Sequence, residues 1–313
     1  MSDDGRDHPF DRSIAIPFAI FTLIWGSTWL VIKDGLGTVA PQWSVAYRFL
    51  LAGGGMALVA RWKGQSLKPT RKLLDAAVPI ALLQFSGNFN AVYLAEQHIT
   101  SGLVATVFAL LMVPNSLLAW AVLGHRPTPR FLAASAVAAS GVALLFLHEW
   151  REAGVEDAGA VAAGIAWTLI GMTAASGANV WQATKRVRKQ PLLAMLAWAM
   201  GVGALIDVVI ALSVAGLPTL DPRPQYWAGV AYLALAASVL CFSLYYPVVR
   251  KIGPGRAAYS SALVPVIAMA LSTLFENYRW TPLAASGAAL AIAGLFLALW
   301  QRRPEPIAAP DAG

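Results

Sequence analysis

The sequence predicts an all-α membrane protein of ten transmembrane helices, arranged as two inverted five-helix repeats, and three observations predict it. First, the 313 residues have a mean hydropathy of +0.61, with 58% hydrophobic and only 12% charged residues, too little polar surface for a water-soluble globule of this length. Second, the latter half repeats the former. Residues 124–147 and 275–299 share Thr-Pro entering a small-residue apolar stretch (Thr128-Pro129, Thr281-Pro282) and a glycine in register (Gly141, Gly294), each pair 153 positions apart. Pro114 and Pro265 follow at an offset of 151, Phe89 and Tyr93 face Phe242 and Tyr246 at 153, and Pro41 and Gly53 face Pro191 and Gly203 at 150. Third, lysine and arginine concentrate in alternate loops, which fixes the direction of each crossing. Halves with an odd number of spans must insert upside down relative to each other.

The elements follow in order. A tail at 1–13 mixes acids with bases, and no small-residue cleavage pattern follows the first apolar stretch, so that stretch is expected to remain as the first span. At about 20 apolar residues per crossing, the first repeat (14–147) has spans at 14–32, 42–60, 73–94, 101–123 and 130–147. After an outer linker at 148–158, the second repeat (159–299) has spans at 159–183, 192–214, 226–248, 257–275 and 281–299, and a tail at 300–313 closes the chain. The length of these runs favours helices, because backbone in lipid must satisfy its own hydrogen bonds. With both termini cytoplasmic, eighteen Lys and Arg lie inside, four (Lys33, Arg151, Arg223, Arg279) lie outside, and Arg48 alone falls within a span. This is the bias of one fixed topology, and it assigns the net charge of +7 to topology signals rather than to a nucleic-acid face. Repeat-related loops exchange their character: 61–72 is basic where 215–225 holds only Arg223, and 184–190 is basic where 33–40 holds only Lys33. Eight tryptophans fall near the two boundaries as an interfacial belt, whereas Trp25, Trp167 and Trp198 lie deeper. A single cysteine, Cys241, excludes an intrachain disulfide and a multi-thiolate metal site.

The stretch WGSTWLVIK from Trp25, the segment PQWSVAYRFLLAGG with Arg48-Phe49, and the two Pro-containing segments ending in Gly124-His125 and Phe275-Glu276 resemble the EamA family of the drug/metabolite transporter superfamily. The resemblance covers nearly the whole chain outside the tails. Within the family the chain is most similar to the YddG-type aromatic amino acid exporters of bacterial inner membranes. The family often has Gly-Glu where this chain has Gly124-His125, so the role of that acid does not carry over to His125. The resemblance implies a basket of helices around a central cavity, with spans 1 to 4 and 6 to 9 forming the wall and spans 5 and 10 outside. Apart from Arg130 and Thr281 at their first positions, those two spans hold no polar side chain larger than Ser, consistent with close packing of small residues.

A transport path needs polar groups that face away from lipid, so intramembrane polar residues are functional candidates. Span 3 offers Gln84 and Asn88 on one face, with Phe85 and Phe89 as an adjacent aromatic stripe. Trp25, Phe108, Asn115, Trp167, Asn179, Tyr245, Tyr246 and Tyr259 complete the candidate cavity. Such a lining suits an amphipathic solute, with ring stacking favouring aromatic side chains. The same residues could instead pack and bond between helices, at about 0.6 kcal/mol per hydrogen-bonded pair. Pro114 and Pro265 each remove a backbone donor near the middle of a span and are candidate hinges for alternating access. Arg48 in span 2 and Asp207 in span 7 are candidates for an embedded charge pair. The four histidines lie in tails or loops, and no HExxH motif, nucleotide loop or paired intramembrane acid appears, which argues against an enzyme. The expected partners are membrane lipid and a small solute, with no nucleic acid, cofactor or metal; a monomer is sufficient.

Overall fold

The computed structural model describes residues 12–124, 126–245, 248 and 260–300, and among these every regular element is helical. Among the described residues, seven helical segments are long and apolar enough to cross a membrane, two of them (Pro129–Glu152 and Asp157–Ala183) within one continuous helical run. The first is α1 (Arg12–Asp34), followed by α2 (Pro41–Trp62). The third apolar stretch is one rod in three parts: α3 (Arg71–Ile80), a π-helical stretch (Ala81–Asn88) and α4 (Phe89–Glu96). The fourth is broken into α5 (Ser101–Ala109) and α6 (Met112–Leu123). Next come α7 (Pro129–Ala183), a single turn α8 (Lys185–Arg188), and α9 (Leu192–Ala215). The eighth stretch joins α10 (Pro224–Ala231) to a second π-helical stretch (Tyr232–Leu240), and α11 (Ser260–Phe275) and α12 (Pro282–Trp300) complete the fold.

Local sequence explains these boundaries. Thr128 and Thr281 cap their helices, the hydroxyl of each accepting from the backbone N–H of Phe131 and Ala284 at 3.2 Å, with proline in the first turn where its missing N–H costs nothing. The repeated Thr-Pro is therefore a repeated helix start. Gly124 ends α6 in the left-handed conformation at φ 77°. Pro114 cannot donate to the carbonyl of Leu110 and its ring crowds it, and at Leu110 and Leu111 the α-helical bonding gives way to a tighter turn, in which Val113 N–H donates to the Leu110 carbonyl at 2.8 Å. Pro265, by contrast, lies inside an unbroken α11.

Helical structure runs through the outer linker expected at 148–158. Glu149, Arg151, Glu152 and Ala153 are good helix formers, and no proline interrupts them. The run is nevertheless bent. In a straight helix residues 142 and 172 would stand about 45 Å apart, yet Val142 and Met172 pack into the same small cluster with Val107 and Leu110.

Repeat-related helices pack against each other in opposite directions. At one end of α2, Trp43 Nε1 donates to the carbonyl of Gly216, just past the end of α9, at 3.2 Å. At the other, Gln65 accepts from the N–H of Ala194, near the start of α9, at 3.0 Å. α12 lies on the first part of α7 in the same antiparallel sense. A Cβ on Gly141 would meet the Ala291 nitrogen at 2.2 Å, and one on Gly294 would meet the Ala138 nitrogen at 2.3 Å. The two π-helical stretches are also repeat-related, Tyr232 standing 151 positions after Ala81 and Leu240 152 after Asn88.

Candidate functional site

The buried aromatic side chains converge where α1, α2, the third rod and the eighth stretch meet. On α1, Trp25 packs on Phe21, Phe242 and Tyr245 with ring centroids 5.1 to 5.8 Å apart, and its indole N–H donates to the carbonyl of Ala237 at 3.0 Å. That carbonyl belongs to the second π stretch, whose wider turns change which main-chain carbonyls are engaged within the helix. Phe85 meets Phe242 edge-on at 6.5 Å and Phe49 at 5.1 Å, and Phe49 meets Phe89 at 4.8 Å. One turn further along α1, Trp29 packs on Phe108 at 5.2 Å, and Ser27 shares a 2.6 Å hydrogen bond with Tyr232. Trp25, Trp29, Phe89, Phe108, Phe242 and Tyr245 are only half-buried, so this face is lined rather than filled.

Polar groups are set into it. Asn88 is 4% exposed and its Oδ1 has no partner. Asn115 accepts from Asn179 at 3.4 Å, linking α6 to α7. Gln84 is half-buried on the first π stretch, and Trp167 packs with Trp29 and Phe108 against a neighbouring core cluster. The structure thus brings Trp25, Phe85, Phe89 and Tyr245 together and sets Asn115 with Asn179 on a separate wall; Tyr246 and Tyr259, like His125, lie outside the described residues. An apolar groove of about 430 Å³ beside α11 is lined by Pro265, Met269, Ala288 and others, and none of the aromatic candidates reaches it. We therefore centre the site on the aromatic face.

The two embedded charges have separate partners, which corrects the expected pair. Asp207 accepts from Asn90 at 2.8 Å. Arg48 lies 4.3 Å above the ring of Phe89 and donates to Ser238 at 3.4 Å, while its Nε and Nη1 have no partner. The pairing expectation assumed that a buried charge needs an opposite charge; here a ring face and a hydroxyl take that place. Because Phe89 and Asn90 are neighbours, α4 stands between the two charges.

A polar cluster that sequence reasoning missed sits where Lys33, Glu96 and Glu276 meet. Lys33 donates to the carbonyls of Glu96 and, at 3.1 Å, Ile99, capping the end of α4. Glu276 accepts from the hydroxyl of Ser101 at 2.9 Å, from its N–H at 3.4 Å and from Ser272. A carboxylate at the first turn of α5 also suits the helix dipole. Glu96 was hidden because it falls two residues past the apolar run; carrying the 3.6-residue period one turn further would have shown it facing inward. Beyond this cluster, the Arg223 guanidinium, bonded to Asp221 at 2.7 Å, holds that loop carboxyl down at about 2.

Comparison with known proteins agrees with this architecture. The sequence model of the EamA-like transporter family matches twice, over residues 13–147 and 162–300. The "Uncharacterized inner membrane transporter YedA" of Escherichia coli is 28% identical over 82% of this chain and 80% of its own. A "Probable amino-acid metabolite efflux pump" of the same species is 24% identical over 89% and 92% of the two chains. A "Probable terminal-alkyne amino-acid exporter" of Streptantibioticus cattleyicolor is 27% identical over 91% and 93%. One solved crystal structure superposes with a TM-score of 0.62 over 91% of this chain and 96% of its own, at 18% identity, a likeness of fold alone. With both halves of the chain matched by the same family, this protein belongs to the EamA-like transporters, a family of membrane transporters rather than enzymes.

Proposed function

We propose that the protein is a secondary transporter that exports small amphipathic metabolites by alternating access, most readily amino acids with aromatic side chains. The observation that carries this reading is the half-buried face of Trp25, Phe242 and Phe89, backed by the buried Phe85, with Arg48 over Phe89 and Asn88 next to it in the chain. Rings stack on such a face, and a guanidinium and an amide are suited to the two ends of a zwitterion. The names of two relatives, an amino-acid metabolite efflux pump and an amino-acid exporter, support the same substrate class. We place the protein in the bacterial inner membrane with both termini cytoplasmic, in keeping with the loop charges and with the name of the YedA relative.

Ten spans in two inverted repeats are part of this proposal. The antiparallel contacts of α2 with α9 and of α7 with α12 support it, because a two-fold axis perpendicular to paired helices runs them in opposite directions. The exchange of Gly141 on Ala291 for Gly294 on Ala138 is the pattern such an axis generates. The expected outer end is closed around Lys33 and Glu276. α5 is buried along nearly its whole length, whereas no described residue of α6 is, which supports a state open toward the cytoplasm.

The test is competition in proteoliposomes among aromatic, aliphatic and charged amino acids and lipophilic cations. Aromatic amino acids are expected to compete best. Trp25→Ala is expected to weaken their apparent affinity roughly 3- to 10-fold relative to aliphatic ones, the scale of one lost aromatic contact. Stronger competition by lipophilic cations would favour a drug exporter, and flux that does not saturate would mean a channel.

The interruption beside Pro114 supports a flexing point there. Pro114→Ala is expected to restore the helix across Leu110 and lower turnover about tenfold with little change in KM, and Pro265→Ala to act similarly in the other half-cycle. Full export rates in both variants would remove the hinge role.

A further inference from the structure

Glu96 is the last residue of α4 and is 0% exposed, yet neither carboxylate oxygen has a hydrogen-bond partner. An ionised carboxylate in that position would bear a desolvation cost that no hydrogen bond offsets. Lys33 on α1 relieves it only in part: its positive charge is near enough to attract a carboxylate, but among the described residues no ion pair within 4.0 Å joins the two, and the ammonium donates instead to main-chain carbonyls. The other charged and titratable groups facing Glu96 are Arg48 on α2, Glu276 after α11, and Tyr93 on its own helix, while Glu149 on α7 adjoins Lys33 and Glu276. Arg48 is engaged with Phe89 and Ser238. Glu276 already carries the hydrogen bonds that suit an anion, so a second negative charge beside it is disfavoured.

The location ties this group to movement. Glu276 belongs to the second repeat and Ser101 to the first, so their bond is a latch between the halves at the outer end. Beside it, a Cβ on Gly102 would stand 2.7 Å from Met269 Sδ and 2.9 Å from Ser272 Cβ, so the latch closes on a tight helix contact. Glu96, close enough to feel the charge of Glu276, is itself closed off from solvent.

We infer that Glu96 is a proton-binding site coupled to the outer gate: its carboxylate takes one proton from the outside water as the gate closes and returns it when the gate opens. This rests on the alternating-access reading. The bound ligand is a proton alone, and closure consumes one for each carboxylate that becomes a carboxylic acid. Export would then answer to the acidity of the outer medium.

The experiment uses the full chain with Cys241→Ser in lipid nanodiscs, spin-labelled at Gln97→Cys and Arg279→Cys, two exposed positions flanking the gate. Distances are measured by pulsed electron resonance from pH 5.5 to 8.5. The ratio of closed to open is expected to rise at least tenfold toward acid. Glu96→Gln is expected to hold the gate closed without titration, and Glu96→Asp to restore the titration. Glu276→Gln, which needs no folded Glu96→Gln protein for comparison, is expected to keep it with a midpoint at lower pH. Two populations that respond to substrate but not to pH overturn the proton site and leave alternating access standing. So does a titration abolished by Glu276→Gln but kept in Glu96→Gln. One fixed distance under every condition overturns both.

Discussion

Alanine at Gly141 is expected to destabilise the protein by about 2 kcal/mol or more, the upper part of the range for overpacking. Gly→Ala inside a helix normally gains about 1 kcal/mol, so the sign of the result decides the matter. The obstruction is main chain: the new methyl would stand 2.2 Å from the Ala291 nitrogen and 2.6 Å from the Gly287 carbonyl oxygen. A side chain can rotate away from a methyl, whereas a neighbouring helix must move as a body. Gly294→Ala meets Ala138 in the same way and is expected to cost a similar amount. The double variant is expected to cost less than the two singles together, because once one substitution has pushed α12 off α7 the second meets a wider gap. Reversible unfolding in mixed micelles, followed by tryptophan fluorescence, measures all three. A stabilised Gly141→Ala protein would mean that α7 and α12 do not make this contact.

Replacing Arg48 is expected to separate stability from function. The residue is 3% exposed, has no carboxylate within ion-pairing distance among the described residues, and leaves two guanidinium nitrogens without a partner. Buried charges can often be exchanged for apolar side chains with no loss of stability. Arg48→Met is therefore expected to unfold no more easily than the parent, or to be more stable by about 1 kcal/mol, while its transport falls at least tenfold. Arg48→Lys keeps the charge but loses the flat surface that covers Phe89, and is expected to fall between. Initial rates in proteoliposomes, set beside unfolding curves for the same preparations, give the comparison. A large loss of stability in Arg48→Met, with transport falling only in proportion, would make the residue structural.

How far the sequence led depended on the kind of interaction. Helix positions were legible from apolar run length, and helix starts from Thr-Pro, because both are local. The offset of 153 that pairs Gly141 with Gly294 reappears as the exchange of contacts between α7 and α12. The aromatic grouping of Trp25, Phe85, Phe89 and Tyr245 was partly readable, since the stripe on span 3 fixed one wall. The partners of Arg48 and Asp207 were not, because depth in a helix does not reveal rotation about its axis. The π stretches left no trace in composition: ALLQFSGN and YLALAASVL look like ordinary apolar helix. That the linker at 148–158 is helical was legible only in residues that favour helix, not in any change of apolar period.

The paired π stretches also bear on ancestry. A π turn holds one more residue than an α turn, so it records an extra residue accommodated without breaking the helix. Two unrelated events would have had to strike the same place in each half to leave Ala81–Asn88 and Tyr232–Leu240 in register. A single event before gene duplication accounts for both. On the repeat proposed above, a half-length ancestor would already have carried the widened helix, and both copies have kept it while the loops around it diverged.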